Sequence, residues 1–403
     1  MLFVEFRFFW FFLAVFCVYW SLRENRSRKI WLLLCSYFFY AAWNWKFLFL
    51  LMASSGLDYV VGMMLARTEN PRARRSWLIV SLCVNLGTIA IFKYCNFFIS
   101  SAATLLAWLG LPASIHTLDI IIPVGVSFYT FHSMSYTIDV YRGKMRAVLS
   151  ILDVACFIGF FPQMVAGPIV RAAQFLPQLQ SLRIFSNVDV RGALVLFLVG
   201  FVKKACIADG VAPTVDKYFD SPANYSAASA WLAVLFYGIQ IYCDFSGYSD
   251  MALGLALVVH RAWQQLVEGR APSRPLPGIY ATADATEGVP PRRGRFGWLA
   301  WSLTFYWICF TWIFFRAADL ERACVIAKSF VFWQSPGTHD LGFRMIWIVV
   351  LLGVIHRFNG RRVFSSWWRQ GPPEVFAAGY GCAFAIVLLF IPPHYAPFIY
   401  FQF

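Results

Sequence analysis

Apolar runs long enough to cross a hydrocarbon core recur from one end of this chain to the other, separated by short basic clusters. Nothing else in the sequence restricts the fold so tightly. Inside a bilayer every backbone amide and carbonyl must find its partner within the protein, so spanning segments are helices or closed barrels. The runs here are continuous rather than alternating, which removes the barrel. Composition agrees: the chain is 60% hydrophobic and 13% charged, against about half and about a quarter for a soluble chain. The sequence therefore predicts an all-α, polytopic membrane bundle forming one membrane domain over residues 1–403.

The net charge of +14 sits in the short connections between apolar runs. That is the pattern of positive-inside loops, and no soluble basic domain is present to bind nucleic acid. The ten cysteines are scattered singly, with no Cys-x-x-Cys and no Cys/His ligand spacing. Neither disulfides nor a zinc site is expected from this pattern, and the thiols read as small buried hydrophobes.

Taken in order, Leu2 to Trp20 is a retained first span, because the cluster Arg23, Arg26, Arg28, Lys29 follows its apolar core rather than preceding it. Ile30 to Ala66 is too long for one crossing and breaks around Asn44–Lys46 into two helices. Trp77 to Ser100 and Leu118 to Tyr141 cross next, with a short polar connection at 111–117. Gly192–Ile207, Trp231–Val259, Phe296–Phe315, Ala323–Trp333, Met345–Ile355 and Val375–Ile391 complete about ten crossings. The basic connections place the N-terminus outside and the basic loops inside. Residues 261–295 form the one long hydrophilic segment, a flexible inside loop.

Two segments do not read as plain spans. Phe157 to Gln178 carries Pro162, Gly167, Pro168 and Pro177 together with Gln163, Arg171 and Gln174. Broken backbone at membrane depth is tolerated only where protein or a water-filled cavity surrounds it, so a re-entrant or broken helix lining a cavity is predicted. Gln240 to Arg261 carries Asp244 and Asp250 among Tyr242, Ser246, Tyr248 and Ser249. Polar groups at that density face a bundle interior or cavity. The two carboxylates are six residues apart, off a common helical face, so they are not an acid–base dyad. Gln163, Pro168, Arg171, Asp244, Ser246 and Tyr248 are the candidate substrate-tunnel residues. Lys203 and Lys204 read as snorkelling at a helix end.

A hydroxyl attacking a thioester needs a base, and histidine has the right proton affinity. Of the six histidines, His132 lies in a membrane segment among Phe128, Tyr129, Phe131 and Tyr136 and reads as buried and hydrogen-bonded, a weak candidate. His116, His260, His339, His356 and His394 lie in loops or at span ends, leaving the catalytic residue unassigned.

Five landmarks in order resemble one family. They are Pro123-Val-Gly-Val-Ser-Phe-Tyr-Thr-Phe-His with Ser135-Tyr-Thr-Ile-Asp-Val-Tyr-Arg-Gly, Phe160-Phe-Pro-Gln-Met-Val-Ala-Gly-Pro-Ile-Val-Arg with Phe175-Leu-Pro-Gln-Leu, Gly200-Phe-Val-Lys-Lys with Ile207-Ala-Asp, Ile241-Tyr-Cys-Asp-Phe-Ser-Gly-Tyr-Ser-Asp-Met, and the tail Pro397-Phe-Ile-Tyr-Phe-Gln-Phe. Together they are similar to the membrane-bound O-acyltransferase (MBOAT) superfamily, in the bacterial branch that includes the membrane subunit of alginate O-acetyltransferase. The resemblance implies helices around a tunnel in the inner membrane, with the N-terminus periplasmic. It further implies acetyl-coenzyme A as a cytoplasmic donor rather than a bound cofactor, an exported polysaccharide as acceptor and a periplasmic acetyltransferase as partner.

The chain departs from that family in one place. The family's Trp-His-Gly-type helix, whose histidine is regarded as catalytic, has no counterpart here, and no Trp-His pair occurs anywhere. Met251 to Leu257 resembles the sequence before the lost region and Gly254 to Arg261 the sequence after it. A seam at the shared Gly254-Leu-Ala-Leu257 follows. The alternative reading is an inactive truncated homologue or a binding scaffold for a periplasmic acetyltransferase. A transporter would show paired broken helices in both halves, and only one broken segment is visible.

Overall fold

The computed structural model describes residues 3–110, 118, 120–164, 167–181, 185, 188–259, 297–342, 348 and 371–392. The 111–117 connection, the 261–295 loop, the Met345–Ile355 span and the C-terminal tail lie outside those residues, as do His116, His260, His356 and His394. Two compact units are present, one within Met1–Phe197 and Tyr248–Trp263 and one within Leu198–Gly247 and Gln264–Gln402. Among the described residues every regular element is helical.

The first unit opens with α1 (Phe6–Ser21), whose buried Phe8, Val15 and Tyr19 recur on one face. Phe8, Phe11, Phe39 and Phe161 form its aromatic core, with Phe11 5.4 Å and Phe39 5.6 Å from Phe161. The next helix, α2 (Asn25–Arg67), is interrupted at Asn44, whose φ of −157° and ψ of 110° are those of a strand. Its side-chain oxygen accepts the Lys46 amide at 3.0 Å, the bond that starts a new helix. The two arms fold back on each other: Tyr37 and Leu51, seven residues either side of Asn44, both border Gly159. Asn25, Lys29 and Tyr59 line one cavity. The segment is thus a helical hairpin, the two helices its length and polar break predicted.

A near-continuous helical run, Pro71–Trp108, follows. It comprises α3 (Pro71–Ile89), a π turn at Ala90–Tyr94 and α4 (Cys95–Trp108). Asn70 caps it by accepting the Arg72 amide at 2.9 Å, and Pro71 occupies the first helical position. In the next predicted span only α5 (Val126–Tyr141) is helical. The preceding residues cannot be: Pro123 biases its predecessor toward extended backbone, and Gly125 takes a left-handed φ of 71°.

The broken segment is present as predicted. A short α6 (Ile151–Ile158), capped by the Ser150 hydroxyl, is followed by a single turn α7 (Phe161–Met164), irregular backbone at 167–171 and α8 (Ala172–Gln180). Ser36 of α2 accepts the Phe161 amide at 3.2 Å, satisfying a donor the break leaves open. Gly167 is required: a Cβ there would lie 2.3 Å from the Gln163 Cα.

In the second unit α9 (Val190–Phe201), which begins in the first, passes through a π segment (Val202–Ala208) into α10 (Asp209–Asp220). The long α11 (Ala227–Val259) likewise contributes residues to both units. Helices α12 (Gly297–Arg316), α13 (Leu320–Phe332) and α14 (Pro373–Leu388) complete it. Trp231 stacks on Phe330 at 4.4 Å, and Phe201 lies 5.5 Å from Phe384. Asn224–Ser226 is clasped by the 335–341 loop, where Ser226 donates to the His339 carbonyl and His339 to that of Asn224.

Among the described residues three helices are long and apolar enough to cross a membrane: Asn25–Arg67, Pro71–Trp108 and Ala227–Val258. Phe6–Ser21 and Pro373–Leu388 are shorter apolar helices. Most of the expected Met345–Ile355 crossing lies outside the described residues.

Candidate functional site

Within the first unit, helix α5 carries Tyr129 and His132 three residues apart, hence on one face. Both are completely buried. The His132 ring lies 5.7 Å from the Phe157 ring, and the backbone carbonyl of Phe157 accepts the Gln163 side-chain amide at 2.5 Å. The Pro168 carbonyl also borders the imidazole. Tyr40 of α2 stands edge-on to Tyr129 at 6.3 Å. The broken segment therefore closes over one polar-lined spot of α5.

The carbonyl oxygen of Gln163 is buried with no well-formed hydrogen bond among the described residues. The Tyr40 and Tyr129 hydroxyls face each other, and the His132 imidazole, buried as expected, faces the Pro168 carbonyl.

A second polar node holds α2, α3 and α5 together. Asp58, fully buried, accepts from Ser81, Asn85, Ser133 and Thr137, with Asn85 at 2.8 Å and Thr137 at 2.7 Å. Four neutral donors satisfy both carboxylate oxygens, and Ser133 is the neighbour of His132. In the same unit Lys29 pairs with Asp153 at 2.7 Å. Residues Asn25, Arg26, Lys29, Tyr59 and 149–153 surround a cavity of about 510 Å³.

In the second unit Lys204 lies between two carboxylates, 2.8 Å from Asp209 and 2.7 Å from Asp244. All three are at most 3% exposed. The predicted snorkelling of Lys204 is thus corrected. Its stem starts in the π segment, which turns the ammonium inward, where the paired acids repay part of its desolvation. Lys203 donates to the Ser246 hydroxyl at 2.9 Å. Gly247 allows this approach, since a Cβ on it would fall 2.7 Å from the Gly200 carbonyl and 2.8 Å from the Lys204 amide.

The predicted residues fall into distinct places. Gln163, Pro168 and His132 meet in the first unit, where Tyr248 is instead packed by its ring on Phe3 at 4.4 Å. Asp244 and Ser246 meet the lysines in the second. Arg171 is exposed at the N-terminal cap of α8, away from the buried groups. Sequence reasoning passed over Asp58, Asp209, Tyr40 and Tyr129. For Asp58 a signal existed, because a lone carboxylate inside an apolar run calls for partners.

Residues 142–259 match the membrane-bound O-acyltransferase family. The chain is 39% identical over 249 residues to "Probable alginate O-acetylase AlgI" of Pseudomonas aeruginosa, an alignment covering 62% of this chain and 47% of the relative. The Azotobacter vinelandii protein of the same name is 38% identical over 253 residues, 62% of this chain and 51% of the relative. "Peptidoglycan O-acetyltransferase" of Helicobacter pylori is 29% identical over 397 residues, 75% of this chain and 73% of the relative. The chain spans about half the length of the alginate relatives it matches. Within residues 142–259 the chain is thus similar to the membrane-bound O-acyltransferase family, and beyond that region it is similar to the alginate and peptidoglycan O-acetylating relatives. The matched region takes in Gln163, Pro168, Arg171, Lys204, Asp209 and Asp244, so the broken segment and the buried charge cluster both lie in it.

Proposed function

We propose that this membrane protein transfers acetyl groups to the hydroxyls of an exported polysaccharide. Acetyl-coenzyme A supplies the group from the cytoplasmic side, and a periplasmic acetyltransferase partner passes it to the polymer. The inner membrane, with the N-terminus in the periplasm, is the location this reading requires. The observation that supports it best is the coincidence of the matched region with the broken helix and buried polar groups, since the relatives' names both describe O-acetylation of a glycan. The test is complementation. A strain lacking its own membrane O-acetyltransferase subunit regains polymer-bound acetate when it expresses this chain, and no regain sinks the reading.

A second reading has its own support. The Helicobacter pylori alignment runs over 397 residues yet takes in only 75% of this 403-residue chain, as an internal loss of sequence produces. With the family's Trp-His-Gly-type helix absent, the chain would act as an inactive scaffold that docks the partner. It would then capture the periplasmic partner without supporting acetylation. Sequencing the source locus across the codons for Gly254–Leu257 tests the seam directly.

A further inference from the structure

The cavity of about 510 Å³ in the first unit brings charged and apolar side chains together around open space. Its volume lies within the roughly 300–1,000 Å³ of small-molecule sites. It sits at the end of the α2 hairpin remote from the reversal, because Lys29 lies fifteen residues before Asn44 and Tyr59 fifteen after it. Three lining side chains can donate to an anion. Arg26 is exposed, and its guanidinium has no acid or hydrogen-bond partner among the described residues. Lys29 commits one of its three ammonium protons to Asp153 at 2.7 Å, which leaves two. Ser150 adds a hydroxyl. The lining carboxylate, Asp153, is already engaged by Lys29 and by the Gln180 amide at 3.3 Å, so Arg26 stands as an unopposed positive charge.

Apolar groups border this charge. Leu149 is 77% exposed and Ile151 54%, and both line the cavity. Leu149 is held in place, since the Tyr59 hydroxyl donates to its backbone carbonyl at 3.0 Å. Ile30 and Val60, the chain neighbours of Lys29 and Tyr59, are exposed as well. A soluble phosphate would use the cations and leave these apolar side chains in water, whereas a phospholipid uses both. Basic pockets between membrane helices hold anionic headgroups in this manner. We propose that the cavity binds the phosphate headgroup of an anionic membrane phospholipid. Arg26, Lys29 and Ser150 donate to the phosphate oxygens, and Leu149 and Ile151 lie along the acyl chain. One headgroup then bridges both arms of α2 and the start of α6. The end of the broken segment is tied to the same place, because Asn25 donates to the Leu179 and Gln180 carbonyls, each at 3.1 Å.

The test is native mass spectrometry of the full chain in a neutral detergent, titrated with dioleoyl-phosphatidylglycerol. Dioleoyl-phosphatidylcholine, which has no net charge, is expected to bind at least about fivefold more weakly. Arg26→Gln weakens phosphatidylglycerol binding by about fivefold or more, the share of one cation beside a headgroup. Arg75→Gln removes another exposed positive charge, one outside the cavity, and changes the affinity by less than about twofold. Leu149→Asn lowers it by about fivefold or more, because less apolar area is covered by the acyl chain. All three substituted residues are exposed, so the fold tolerates the changes. Equal losses in the Arg26 and Arg75 variants overturn the proposal, since general attraction to a basic surface produces that result. Displacement of the lipid by millimolar inorganic phosphate or adenosine 3′,5′-bisphosphate, with Leu149→Asn unaffected, also overturns it and makes the ligand a soluble phosphate. No readout involves acetyl transfer, so failure of the proposed function and failure of this site are told apart.

Discussion

Lys204 and Asp58 illustrate two ways of burying charge in an apolar bundle. Lys204 is held by opposite charges, Asp58 by neutral donors alone. Removing one member of a buried ion group leaves the remainder uncompensated, at a cost of about 3–5 kcal/mol. Lys204→Met is therefore expected to lower the melting temperature of the detergent-solubilised protein sharply, whereas Lys204→Arg retains most of it. At Asp58 the arithmetic differs, since four donors would lose their acceptor. Asp58→Ala is expected to destabilise by at least about 3 kcal/mol, read in the same melting experiment. By contrast the Arg316–Asp216 pair, whose aspartate is half exposed, is worth under about 1 kcal/mol, and Arg316→Ala should scarcely move the midpoint. How much of this was legible in the sequence depends on the partner's distance. Gln163, Pro168 and Asp244 announce themselves as polar or helix-breaking groups in apolar surroundings. Asp209 pairs with a neighbour five residues away and Asp58 with residues as far off as Thr137, and neither partnership follows from composition or spacing.

At the scale of elements, helix breaks were read well and helix ends poorly. Asn44 and the Pro/Gly run after Phe157 were visible because each removes or diverts a backbone hydrogen bond that an unbroken helix needs. The start of α5 was missed because the apolar stretch continues through Pro123 and Gly125, where hydrophobicity and backbone geometry disagree. Helix α11 shows what glycine contributes to packing. A Cβ at Gly254 would sit 2.7 Å from the Ala193 carbonyl and 2.9 Å from the Phe197 amide, both backbone atoms of α9. Gly254→Val is expected to force those helices apart, costing about 2–3 kcal/mol, and the loss should appear as a lower melting temperature. This residue also opens the proposed seam. Any joining of two sequence words there had to preserve a glycine facing α9, and the Gly-Leu-Ala-Leu word does so.

For the molecule as a whole, the broad class followed from hydropathy alone, because hydrocarbon dictates helices wherever apolar runs are long. Where the backbone turns does not follow from hydropathy, which counts apolar residues and takes no notice of a reversal. That distinction gives the Asn44 reversal its wider consequence. A straight helix of 43 residues would extend about 65 Å, twice the depth of a bilayer core. Folded at one residue, it returns the chain to the face it left, so its two crossings cancel in the bookkeeping of sidedness. Everything downstream inherits its orientation from that even count. Asn44→Leu, which deletes the cap and favours a continuous helix, is expected to leave the tip reagent-inaccessible. A cysteine at position 45 would be labelled from the opposite side to one at position 26 in the native chain and resist labelling in the variant. One asparagine thus sets the parity of the topology.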